Sequence, residues 1–157
     1  MPDGVLSVVL EREHHEIDSA IAAFIEKLDG GCMQPEPLRT VLEALRRHIY
    51  LEETFLFPPI REAGMLMPIF VMMREHGELW RTMGALTDLI VDRADSEQLR
   101  DTCHRLLGQL EQHNSKEEPI IYPHADRDLP ALVSAELGRF IEIGRIPDGW
   151  VCQQAAQ

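Results

Sequence analysis

Four stretches of this chain repeat apolar residues at the three- and four-residue spacing of a helix face, and a histidine interrupts or extends each stripe. In the first, Leu6, Leu10, Ile17, Ile21, Phe24 and Leu28 form the stripe, His14 fills its gap and Gly30-Gly31 ends it. The second starts after Pro37 and runs through Leu38, Leu42, Leu45, Ile49 and Phe55 to the breaker Phe57-Pro58-Pro59, with His48 and Glu52 following Leu45. The third begins near Pro68 and carries Ile69, Met72, Met73, Leu79, Met83, Leu86 and Ile90, with His76 on the same face. Asp95-Ser96 caps the fourth, whose stripe of Leu99, Cys103, Leu106 and Leu110 continues into His113 and Glu117 and stops before Pro119. Six ionisable side chains therefore face a core.

Burying an ionised carboxylate costs several kcal/mol unless it is paired or bound to a cation. Lysine and arginine are nearly absent from these stripes, so the partner expected for Glu52 and Glu117 is a metal. Imidazole with carboxylate is a ligand set for iron, zinc, manganese or copper. With 7 histidines in 157 residues, four given core positions would all be histidine about four times in a million by chance. A single His-x-x-x-Glu is usually a surface i, i+4 pair; the constellation, not the motif, carries the argument.

Short connections turn helices back on themselves, which predicts an all-α, antiparallel up-down-up-down four-helix bundle. A fifth, shorter helix is expected after Asp128 and Pro130, through Leu132, Leu137, Phe140 and Ile141, before a tail containing Trp150. No β-type alternation of useful length appears. The length favours a single domain over residues 1–157, with the bundle over residues 5–118 and the last helix and tail over 128–157. His14 lies 14 residues before Leu28, and His48 lies 11 after Pro37; His76 lies 14 before Ile90, and His113 lies 14 after Leu99. Antiparallel packing puts all four histidines at one height.

An internal repeat sharpens this. Glu13-His14-His15-Glu16-Ile17 resembles Glu75-His76-Gly77-Glu78-Leu79, and the run from His48 through Glu52 to Phe57-Pro58 resembles that from His113 through Glu117 to Tyr122-Pro123. One helical hairpin is used twice, which places two matched half-sites about a pseudo-twofold axis and suits a pair of metals. Of the remaining polar residues, Glu13, Glu16, Glu75 and Glu78 are placed either to orient imidazoles and relay protons or simply to be solvated. Glu53 and Glu118, i+5 from their histidines, are expected in solvent, as is His15, which faces about 100° from His14. Trp80, one turn from His76, is expected to pack in the core or to wall off the metal. Tyr50 and Tyr122 are open between core and site. His104 and His124 are expected to be exposed, Cys103 to be an inert core thiol, and Cys32 and Cys152 to be reachable.

A formal charge of -12 makes nucleic acid and anionic membrane poor partners. The start, MPDGVLSVVLERE, is acidic rather than basic and its apolar stretch is too short for a signal sequence. The run Met65 to Met73 is too short to span a bilayer. Three cysteines with no C-x-x-C pair fit a reducing compartment, so a cytoplasmic location is expected.

The order His, His-x-x-x-Glu, His, His-x-x-x-Glu, with Phe-Pro and Tyr-Pro closing the second and fourth segments, resembles the hemerythrin-like family, the HHE cation-binding domain, over residues 5–124. The resemblance implies that His14, His48, His76 and His113 are iron ligands and that Glu52 and Glu117 bridge two iron ions that share an oxo or hydroxo group. Oxygen-carrying members have a further histidine where this chain has Trp80. The pattern is closer to the four-histidine, two-glutamate subgroup linked with repair of iron centres damaged by nitric oxide or oxidants. Four protein bonds per iron plus a shared bridge leave an open position on each, where a diatomic or peroxide can bind. The expected function is a di-iron protein that binds, senses or processes dioxygen, nitric oxide or peroxide. The alternatives are an iron or redox sensor and a metal-storage bundle without turnover. A ferritin-like oxidase is the weakest reading, because that pattern is Glu-x-x-His.

Overall fold

A computed structural model describes residues 5–156. The helices are α1 (Val5–Asp29), α2 (Glu36–Leu51), α3 (Phe57–Glu62), α4 (Leu66–Val91), α5 (Ser96–Ile120), α6 (Tyr122–Arg127) and α7 (Ala131–Ile143). A π-helical turn, Glu52–Leu56, joins α2 to α3, and a 3-10 turn, Gln153–Ala156, lies near the end. No strand occurs among the described residues. Around the bundle, α1 packs on α2 and α5, and α4 packs on α5 and α2, which is the antiparallel ring expected. The shorter α7 lies against α2 and the π-turn, and the 3-10 turn lies against α4.

The ends follow local chemistry. Gly31, at φ 84°, takes the left-handed conformation that lets the Cys32 N–H reach the Lys27 carbonyl at 2.8 Å and close α1. Asp95 Oδ1 accepts the Gln98 N–H at 2.9 Å and opens α5. Two expected stops are not stops. Phe57-Pro58-Pro59 lies inside a continuous helical path, because the prolines occupy the first turn of α3, where a missing N–H costs nothing. The turn before them widens so that the Phe57 N–H bonds to the Glu52 carbonyl, which relieves the clash a proline ring makes with the carbonyl four residues earlier. Pro119 likewise sits within α5.

Two apolar clusters fill the bundle. One contains Ile17, Ile21, Phe24, Leu42, Leu45, Ile49, Leu79, Leu86 and Leu106 with their neighbours. The other contains Leu10, Leu51, Leu56, Phe57, Ile69, Met72, Tyr122, Leu137 and Phe140 with theirs. Each large apolar side chain buried in them contributes about 1.5–3 kcal/mol. On α1 and α4 the inward histidine lies where one cluster gives way to the other: Leu10 to Ile17 on α1, Met73 to Leu79 on α4. Cys103 is buried and Cys32 exposed. Cys152, expected to be reachable, is fully buried, because the 3-10 turn folds the tail back onto α4. Burial pushes the thiols of Cys103 and Cys152 up to about 11. No helix among the described residues is long and apolar enough to cross a membrane.

Candidate metal centre

The layer between the clusters holds His14 from α1, His48 from α2, Glu52 from the π-turn, His76 from α4, and His113 and Glu117 from α5, all buried. Their donor atoms form two groups, His14, His48, Glu52 and Glu117, and Glu52, His76, His113 and Glu117, each within 4.8 Å. Both carboxylates belong to both groups. Glu52 spans them, with Oε2 at 3.2 Å from His48 Nε2 and Oε1 at 3.0 Å from His76 Nε2. Glu117 Oε1 lies 3.1 Å from His14 Nε2 and 3.4 Å from His113 Nε2.

Every imidazole is fixed from behind through its other nitrogen. His48 donates from Nδ1 to Glu13 at 2.8 Å, and His113 to Glu75 at 2.9 Å. His76 donates to Glu53 and His14 to Glu118, each at 2.8 Å. These bonds hold each ring with Nε2 pointing inward. Glu13 and Glu75 thus do what their neighbouring histidines hinted. Glu53 and Glu118 do not lie in solvent as expected: a carboxylate about 100° off the ligand face is well placed to reach sideways to an imidazole on the adjacent helix. The repeat is legible here, since Glu13 and Glu75 serve their own hairpins, while Glu53 and Glu118 each reach across to the other. Glu16, Glu78 and His15 are exposed. Trp80 lies in the first apolar cluster, edge-on to Trp150 at 5.4 Å, and does not line the site. Tyr50 packs among Phe55, Phe140 and Trp150. His104 is exposed, whereas His124 is half-buried and pairs with Asp128 one turn on.

Tyr122 carries the functional group that the stripes did not reveal. The chain breaks helix at Ile121, α6 turns back against α1, and the Tyr122 hydroxyl arrives among the inward histidines and glutamates. It donates to Glu52 Oε2 at 2.6 Å and lies 2.8 Å from His14 Nε2, 3.0 Å from His48 Nε2 and 3.1 Å from Glu117 Oε1.

The electrostatics are set by buried carboxylates facing buried imidazoles. Burial works against charge on His48, His76 and His113, yet the facing carboxylates outweigh it and raise all three, His113 to about 10. Burial and Glu117 raise Glu52, but His48 and His76 prevail and hold it below the usual carboxylate range. Burial raises Glu117 as well, and His113 and His14 pull it well below that range. Glu52 Oε1, Glu117 Oε2 and His76 Nε2 are nonetheless buried with no hydrogen-bond partner. Buried polar atoms are rarely left so, and with His76 Nε2 standing 3.0 Å from Glu52 Oε1 the arrangement fits a donor set built around ions. A cavity of about 10 Å³ adjoins the layer, lined among others by Asp18, Leu45, Leu110 and Asn114, with room for one water-sized group.

Residues 6–125 match the hemerythrin HHE cation binding domain. The chain belongs to that family. The match spans α1 to α6, and so takes in the four inward histidines, the two inward glutamates and Tyr122 of this hemerythrin-type site. Neither the curated proteins nor the solved structures give a significant match to the chain. The His/Glu groups of the hemerythrin-type site are able to bind a metal ion.

Proposed function

We propose that this protein holds two iron ions, joined by an oxo or hydroxo group, between His14, His48, His76, His113, Glu52 and Glu117. With them it binds, senses or processes dioxygen, nitric oxide or peroxide. The observation that carries this reading is the pair of four-donor groups that share Glu52 and Glu117 within one buried layer. Two ferrous ions supply two electrons together and positions for a small ligand. The chain's own residues do the rest. The Nδ1 bonds to Glu13, Glu53, Glu75 and Glu118 set the tautomer that leaves each Nε2 lone pair inward. The apolar clusters on either side keep bulk water from the donors. A reducing, cytoplasmic setting goes with this reading, since Cys32, Cys103 and Cys152 are all unpaired.

Anaerobic reconstitution with ferrous iron, then iron counting and optical spectra before and after each gas, tests the proposal. The expected load is about two irons per chain, and a load under about one sinks the reading.

One observation favours the sensing form over turnover. The Gln153 N–H donates at 3.1 Å to Glu53 Oε1, whose Oε2 steadies His76. The C-terminal turn is therefore two hydrogen bonds away from His76, through Glu53, and its docking would report on the site. A sensor should show tail release on a change of iron state and no consumption of peroxide.

A further inference from the structure

The two half-sites are built on the same plan, and the rings that stack on their histidines differ by one oxygen. On one side the Tyr122 ring stacks on His14, with centroids 5.2 Å apart and planes at 28°. On the other side Phe57, its counterpart in the repeat, stacks on His76 at 5.3 Å and 22°. The pseudo-twofold axis thus holds for both rings, but only Tyr122 carries an oxygen.

That oxygen stands in a particular relation to its neighbours. An ion bonded at about 2.1 Å to nitrogen and oxygen donors spaces donors at right angles about 3.0 Å apart. The Tyr122 oxygen lies 2.6 to 3.1 Å from His14 Nε2, His48 Nε2, Glu52 Oε2 and Glu117 Oε1. The spacings of His14 Nε2 to Glu117 and of His48 Nε2 to Glu52 are 3.1 and 3.2 Å. These are edges between donors, not bonds to a centre, so the hydroxyl stands beside the ion's position rather than in it. In the other half-site Phe57 brings a hydrocarbon ring in place of the phenol, and there Glu52 Oε1 and His76 Nε2 have no hydrogen-bond partner.

We propose that the Tyr122 oxygen is a seventh protein donor that completes the half-site of His14 and His48, so that a small exogenous ligand binds only at the half-site of His76 and His113. The inference rests on the di-iron reading above. When the ion is bound, the oxygen gives up its hydroxyl proton to solvent and no electron changes hands. The vacant position is then single, apolar on the Phe57 side, and suited to an uncharged diatomic or a linear anion such as azide.

The test compares ferric, iron-loaded wild type with Tyr122→Phe, Phe57→Tyr and the double exchange. Each is read by iron content, visible absorption, phenolate modes in resonance Raman spectra, and azide titration. Wild type should show a tyrosinate-to-iron band and bind one azide per chain. Tyr122→Phe should keep its iron, lose the band and bind two azides; Phe57→Tyr should keep the band and bind none. The double exchange should restore both the band and the single azide, which a merely structural role for Tyr122 would not do. Two irons per chain with no tyrosinate signature in wild type, or with the same azide count in all four proteins, overturns this inference and leaves the di-iron reading standing. Failure of wild type to take up iron removes both.

Discussion

Without an ion, the carboxylates facing His48, His76 and His113 favour the protonated form of these three imidazoles over the burial that opposes it. A histidine raised on folding stabilises fully below its unfolded value near ~6.5 and loses that contribution as pH rises through its folded value. For His113 this window runs up to about 10. The lowered carboxylates act in the other direction: their contribution is present above the ordinary glutamate value of 4.5 and is lost as pH falls through their folded values. Metal-free protein should therefore melt at progressively lower temperature from pH 6.5 toward 10. Iron-loaded protein should instead lose iron as pH falls through ~6.5, because ions and protons compete for the same nitrogens. Two melting series on the same preparation, with and without iron, check this; parallel pH profiles would contradict it. The outer carboxylates give a second prediction. Glu53→Gln and Glu118→Gln should each weaken iron binding about 10- to 100-fold, while Glu16→Gln and Glu78→Gln leave it unchanged, read by competition with a chelator. The six inward residues were legible because helical periodicity leaves them nowhere else to point. Glu53 and Glu118 were not, because their role depends on which helix lies beside them, a fact of packing rather than of spacing.

At the level of elements, the sequence located the four long helices and the fifth, and misjudged what the prolines do. Pro58 and Pro59 looked like a stop, yet the π-turn before them carries the chain onward, and that turn contains Glu52 and Glu53. The tail was equally opaque, since its docking is settled by a close approach no pattern encodes. A Cβ on Gly77 would stand 2.9 Å from Gln154 Cβ and 3.1 Å from its carbonyl carbon. Gly77 is thus required next to His76 so that the 3-10 turn can lie flat on α4. Gly77→Ala should lift the turn and uncover Cys152. A thiol reagent that modifies Cys32 alone in the native wild type should then modify two cysteines at comparable rates. An unchanged thiol count would show that the turn accommodates the methyl group in place.

For the molecule as a whole, the two hairpins are joined by Ala63-Gly64-Met65 between α3 and α4, far along the chain from the tail that returns to α4. Neither hairpin contains a finished set of parts. Glu53 of the first steadies His76 of the second, and Glu118 of the second steadies His14 of the first. A backbone nick at the Ala63-Gly64-Met65 link therefore offers a direct measure of what iron does for cohesion. Iron-loaded fragments should co-migrate on a sizing column, and a chelator should loosen them. The cross-braced acids make partnership between the halves obligatory, so the metal acts as a clasp between two otherwise separable lengths of chain.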